Sequence, residues 1–95
     1  MIISEEILPR IIKTRNAGQK EYAQDEDNVF ANFERVGERL NISREKVLMV
    51  YLLKHIDGIS AYTKGHKSQR EDVTGRLTDA IVYLMLLWSM VLHKS

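Results

Sequence analysis

The chain contains no cysteine. That removes disulfides, cysteine-ligated zinc, iron–sulfur clusters and thiol nucleophiles together, and it fits a reducing interior. Proline and glycine are scarce, at one and five in 95 residues. Strands joined by tight turns need more of both. No excess of charge of either sign is present: the net charge is +1, whereas a general nucleic-acid binder carries a strong basic surplus. No apolar run is long. The most apolar stretch, AIVYLMLLWSMVL at 80–92, falls short of the roughly 20 residues a membrane span needs, and Asp79 and His93 close its ends. It reads as a buried helix of a protein that does not enter the membrane. The opening MIISEEIL has neither the basic region nor the apolar run of a signal peptide. The expected location is the cytoplasm.

What is present is a globular composition, 44% hydrophobic and 28% charged, with enough apolar residues to offset ordering entropy. Residues 1–95 make a single domain, and a chain this short buries a smaller share of its surface than a long one, so a partner subunit would help it. Apolar residues recur at helical spacing throughout. Ile7, Leu8, Ile11 and Ile12 mark a helix at about 6–21, in which Pro9 costs little if the helix starts near it. Asp25, Glu26 and Asp27 form an acidic loop. Asp27 or Asn28 then caps a second helix, whose core stripe is Val29, Phe33, Val36 and Leu40.

LNIS at 40–43 ends that helix, and Ser43 caps a third at about 44–64. Gly58 inside it costs roughly 1 kcal/mol against alanine, which points to a close approach at that position. Gly65 suits the residue just past the helix end, where φ is positive. Ser68 and Glu71 have capping-box spacing and open a fourth helix at about 69–93. Its second half is apolar on nearly every side, so a second chain is expected to cover it. The fold expected is all-α: a compact four-helix domain completed by oligomerisation, as a dimer or higher.

Several polar residues interrupt the two apolar helices. Lys54 and Asp57 are three apart; Arg76, Asp79 and Tyr83 follow a 3–4 spacing and share a face. Burying a charge is costly unless it is paired. Two arrangements meet that demand. One is a structural ion-pair network between the helices. The other is a pocket whose carboxylates serve a cation and whose basic groups serve phosphate. The acidic loop has oxygen ligands suited to Mg²⁺ but no EF-hand spacing, and reads first as a solvated loop. Asn28 and Asn32, one turn apart, suit a base edge or, equally, a cap and a surface position. His55, His66 and His93 have no metal-ligand spacing and read as ordinary. Lys64, His66, Lys67 and Arg70 read as a solvated basic loop. No P-loop, dinucleotide fingerprint, HExxH or GxSxG occurs. Trp88, Met85 and Met90 sit at packing or interface spacing.

Taken together, KEYAQDEDNVFANFERVGERLNIS, VYLLKHIDGISAYTKG and GRLTDAIVYLMLL resemble small phage proteins of the nucleotide modification associated domain type, loosely described as MazG-like. The resemblance spans about 20–91 and rests on Lys20, Glu21 and Tyr22, on Asn32 with Phe33, on Lys54, and on Asp79 with Tyr83. It implies an all-α nucleotide-handling protein, working in the host cytoplasm if phage-encoded. Lys20, Tyr22, Asn28, Asn32, Lys54, Asp57, Arg76, Asp79 and Tyr83 would line the ligand site. The related all-α nucleoside triphosphate pyrophosphatases hold Mg²⁺ with Glu-Glu-x-x-Glu in one helix and Glu-x-x-Asp in the next. Here Asp79 matches the last position as a metal ligand, but Arg76 replaces the glutamate, and Glu34 and Glu38 come without the acidic pair. An arginine there repels a metal. The resemblance therefore implies a binder or sponge of nucleotides rather than an Mg²⁺-dependent pyrophosphohydrolase. A different class also accommodates the sequence: a non-catalytic protein–protein interaction module, such as an inhibitor of a host defence or replication protein.

Overall fold

Four helical segments account for most of residues 1–18, 28–66 and 72–93, which the computed structural model describes, and no strand occurs among them. The first begins as a π-helical stretch, Ile3–Ile7, and continues as helix α1, Leu8–Gly18. This start lies ahead of the expected one and places Pro9 inside the segment. Proline has no amide for the bond back to Glu5, and its ring would press on that carbonyl in a regular helix. The wider π turn interrupts the α ladder just before the proline. Of the expected stripe only Ile11 is buried, at 5% exposure, while Ile7, Leu8 and Ile12 remain exposed. The reason is that α1 rests on helix α4 and on no other described helix.

Helix α2, Ala31–Leu40, has Phe30 as its N-cap and takes no side-chain cap from Asn28; Asp27 lies outside the described residues. Asn28 instead closes the turn ahead of it. Its Oδ1 accepts from the Phe30 amide at 3.0 Å, and its Nδ2 donates to Glu34 at 2.6 Å. Phe33 is buried as expected, but Leu40 is 63% exposed. There the chain turns away through Asn41 at φ 58°, a left-handed conformation that asparagine tolerates. Arg44 ties the starts of α2 and α3 together. Its guanidinium lies 4.8 Å from the Phe30 ring centre and 3.2 Å from Glu34, a cation–π contact and an ion pair on one side chain.

Helix α3, Arg44–Thr63, begins and ends as its residues dictate. The Ser43 hydroxyl accepts from the Lys46 amide at 3.2 Å. At the far end Gly65 has φ +91°. The Gly65 amide donates to Tyr62 at 2.9 Å and the His66 amide to Ala61 at 3.0 Å, the paired bonds of a Schellman ending. Helix α4, Val73–Leu92, starts later than the capping-box spacing suggests. Asp72, extended at ψ 140°, is its N-cap and accepts from the Thr74 amide at 3.3 Å. Ser68 and Glu71 lie outside the described residues.

Helices α3 and α4 run antiparallel, with Gly58 against Arg76, His55 against Asp79 and Tyr51 against Tyr83, and make the most extensive helix contact; α2 packs on α3. Phe33, Val47, Leu48, Leu52, Ala80 and Met90 form the core. The Phe33 ring stands 6.0 Å from Tyr51 and 6.1 Å from Tyr83, within the range of favourable aromatic pairs. Within one chain, helix α4 is only partly buried. Ala80, Val82 and Met90 are buried, but Trp88 is 69% exposed. Helices α1 and α3 cover only part of its circumference, and its apolar residues go all the way round. By length and composition alone α4 could cross a membrane. The unit that sets this length is the whole helix from Val73, not the apolar run at 80–92.

Phe33→Ala is expected to cost about 3–5 kcal/mol, measured by denaturant unfolding, because it empties the junction of α2, α3 and α4. The Asp72 carboxyl gives a second test. The Thr74 hydroxyl, then the Thr74 amide, with Arg10 nearby, hold its pKa below the ordinary value. A lowered folded pKa means that its stabilising effect is present above the unfolded carboxyl pKa and is lost as pH falls through the folded one. Asp72→Asn should therefore lower the melting temperature at neutral pH and flatten the acid limb of stability against pH. An acid limb identical to wild type would contradict this role.

Candidate functional site

The polar residues of α3 and α4 divide into two groups rather than forming one network. The first lines an open groove of about 620 Å³ bounded by Val50, Leu53, Lys54, Asp57, Gly58 and Arg76. Gly58 makes it possible. A Cβ added there would run into the Cδ, Nε and Nη1 atoms of Arg76, so the arginine side chain lies directly on the α3 backbone. The close approach expected at Gly58 is thus made by a side chain from the neighbouring helix. The side chains of Lys54, Asp57 and Arg76 form no ion pair or hydrogen bond among the described residues. Two cations and one carboxylate therefore face the same open space. Electrostatically this suits an anion. The guanidinium offers a planar fork to phosphate oxygens, and the lysine offers a mobile point charge.

The second group centres on a buried histidine, with Asp79 and Tyr83 half-buried beside it. His55 is 6% exposed. Its ring lies 5.6 Å from the Tyr83 ring at 31°, and its Nε2 is 3.7 Å from the Asp79 carboxylate. Its Nδ1 is buried with no hydrogen-bond partner among the described residues. Asp79 and Tyr83 make further interactions of their own. Asp79 thus serves the helix interface at His55, one turn from Arg76 in the groove. Metal-ligand spacing alone does not single out His55. The available signal was its register: 48, 52, 55 and 59 trace the core stripe of α3, and a histidine on that stripe needs an account of both ring nitrogens.

The remaining expected site residues are placed as follows. Asn28 is committed to the turn before α2. Asn32 is half-buried on α2. Lys20, Tyr22 and the acidic residues 25–27 lie outside the described residues. Among the described residues, no three histidine, aspartate or glutamate side chains converge as metal ligands. Asp79 has His55 beside it rather than a second carboxylate. Asp79 thus offers one carboxylate, with no cluster of ligating side chains around it among the described residues.

No family model matches the chain, and neither a curated protein nor a solved structure does.

The unpartnered Nδ1 carries an energetic consequence. A buried polar atom without a partner costs about 1–3 kcal/mol, so His55→Leu, which fills similar space without it, should leave stability within about 1 kcal/mol of wild type. Denaturant unfolding measures this. A loss several times larger would mean that the imidazole is fully satisfied and structurally required.

Proposed function

We propose that the protein binds a phosphate-bearing nucleotide in the groove between α3 and α4, without hydrolysing it. The observation that carries this reading is the placement of Arg76 on Gly58, beside Lys54, with neither cation in an ion pair among the described residues. A guanidinium laid on a helix backbone loses little further freedom on binding, which favours affinity. Val50 and Leu53 supply an apolar floor for a base or sugar, and Asp57 supplies an acceptor for a hydroxyl. The same reading fits the resemblance to MazG-like phage proteins: a degenerate pyrophosphatase retained as a nucleotide binder or sponge, acting in a host cytoplasm. Asp79, Tyr83, Asn32, Lys20 and Tyr22 belong to this proposal only through that resemblance.

A second reading, a protein–protein interaction module, is favoured by one specific observation: the outward side of α4 is apolar and exposed from Leu77 to Leu92. On this reading the groove is incidental and the apolar surface contacts a target protein.

Titration calorimetry with nucleoside triphosphates and cyclic dinucleotides distinguishes the two. Wild type should bind at least one of them, and Arg76→Ala should abolish binding. Gly58→Ala gives a finer test. It gains helix propensity of roughly 1 kcal/mol while lifting Arg76 off the backbone, so it should leave stability near wild type and weaken binding. Absence of binding by wild type to every ligand in the set would leave the interaction module as the reading.

A further inference from the structure

Helices α3 and α4 expose a second apolar face, separate from the core. At 100° per residue, the flank of each helix nearest α2 carries the rings that meet Phe33, Tyr51 on α3 and Tyr83 on α4. The opposite flank of α3 carries Met49, Leu53 and Ile56. The opposite flank of α4 carries Leu77, Ile81, Leu84, Trp88 and Val91. All eight are exposed. Because the helices lie side by side and antiparallel, the two flanks join into one face. With Met85 and Leu92 at its edge, it exposes apolar surface on the order of 1,000 Å². That exceeds the few hundred Å² of ordinary monomer patches and matches the roughly 800 Å² per partner of a standard interface.

We infer that a second copy of this chain covers this face, with α4 packed antiparallel on its own symmetry mate. Three features identify the occupant. The α4 residues repeat at 4, 3, 4 and 3, the seam spacing of helix packed on helix. The seam contains no charge: α4 has no ionisable side chain from Ala80 to Leu92 apart from the Tyr83 phenol on the other flank. A basic or acidic partner finds nothing to pair with there. The seam is also close to its own reverse about Leu84, with Leu77 and Val91 seven residues to either side, Ile81 three before and Trp88 four after. An antiparallel pair sets Leu84 against Leu84, Ile81 against Trp88 and Leu77 against Val91, with the largest side chain opposite a smaller one. A two-fold interface has this form, in which i meets j and j meets i. The groove lies on the adjacent side of α3 and shares only Leu53 with this face, so the inference does not depend on nucleotide binding.

The test uses two features of the sequence, a single tryptophan and no cysteine. Sedimentation at micromolar concentration should show a species of twice the 11.0 kDa chain. Trp88 emission should be blue-shifted in that species and move to the red on dilution as the dimer dissociates. Leu84→Cys, at the two-fold axis, should oxidise to a covalent dimer, while Glu38→Cys on the exposed side of α2 should not. If Leu84→Cys fails to fold, the wild-type emission and sedimentation still decide. A monomer with red emission at every concentration overturns the inference. So does a dimer whose Trp88 remains exposed and whose Leu84→Cys does not link. A monomer whose Trp88 shifts to the blue only with phosphatidylcholine vesicles assigns the face to lipid and equally overturns it. Loss of nucleotide binding with the dimer intact would remove the groove reading alone.

Discussion

Helix α4 has more apolar surface than the described helices cover, and the rest of the structure follows from how that surface is shared. A helix packed on one neighbour buries one stripe; packed on two, it buries two. Helix α3 takes the stripe with Ala80 and Met90. Helix α1 takes another, where Thr78 and Val82 are buried outside the central cluster with Ile11. A third stripe is left over. The contact between α3 and α4 is the extended one, and it sets the positions of Lys54, His55, Asp57, Arg76, Asp79 and Tyr83. Registering Gly58 opposite Arg76 also brings His55 opposite Asp79 and Tyr83, and Tyr51 opposite Tyr83. One antiparallel register thereby creates both the open groove and the buried histidine cluster.

What was legible in the sequence was local. Ser43 caps its helix because a short hydroxyl beside the first free amides has little else to do. Gly65 ends the same helix because positive φ is cheap only without a Cβ. Gly58 announced a close approach, though not that an arginine would make it. Where two local signals competed, the sequence misled. Ser68 and Glu71 have the spacing of a capping box, yet Asp72 is the cap, because its own carboxylate reaches the Thr74 amide and hydroxyl. Asn28 was read as a cap and closes the preceding turn instead.

Burial was less legible than helicity. Ile7, Leu8, Ile12 and Leu40 have the same spacing as buried residues, and spacing predicts which residues share a face. It does not predict whether a neighbour is present to cover that face. The same limit applies to the polar residues. Arg76 and Asp79 share a face of α4, so a single network was a fair expectation. A separation of one turn, about 5 Å along the axis, is enough to give them different partners on α3: a glycine for the arginine and a histidine for the aspartate.

The groove and the apolar face occupy adjacent sides of one helix, and this constrains any mechanism that uses both. Lys54 and Asp57 are exposed on α3, at positions that follow the apolar Val50 and Leu53 by one turn. A helix surface that passes within one turn from apolar to charged can hold a protein partner on one side and a small polar ligand on the other, with Leu53 at the boundary. A ligand drawing Lys54 toward Arg76 would move a side chain next to that boundary without needing any shift of the core, whose residues lie on the inner side of the same helix. Whatever covers the apolar face therefore borders the groove, and its rim would form part of the ligand's surroundings. The two readings of function are accordingly not exclusive in structural terms: the same α3–α4 pair supplies a charged groove and an uncharged apolar face, and its antiparallel register fixes the distance between them.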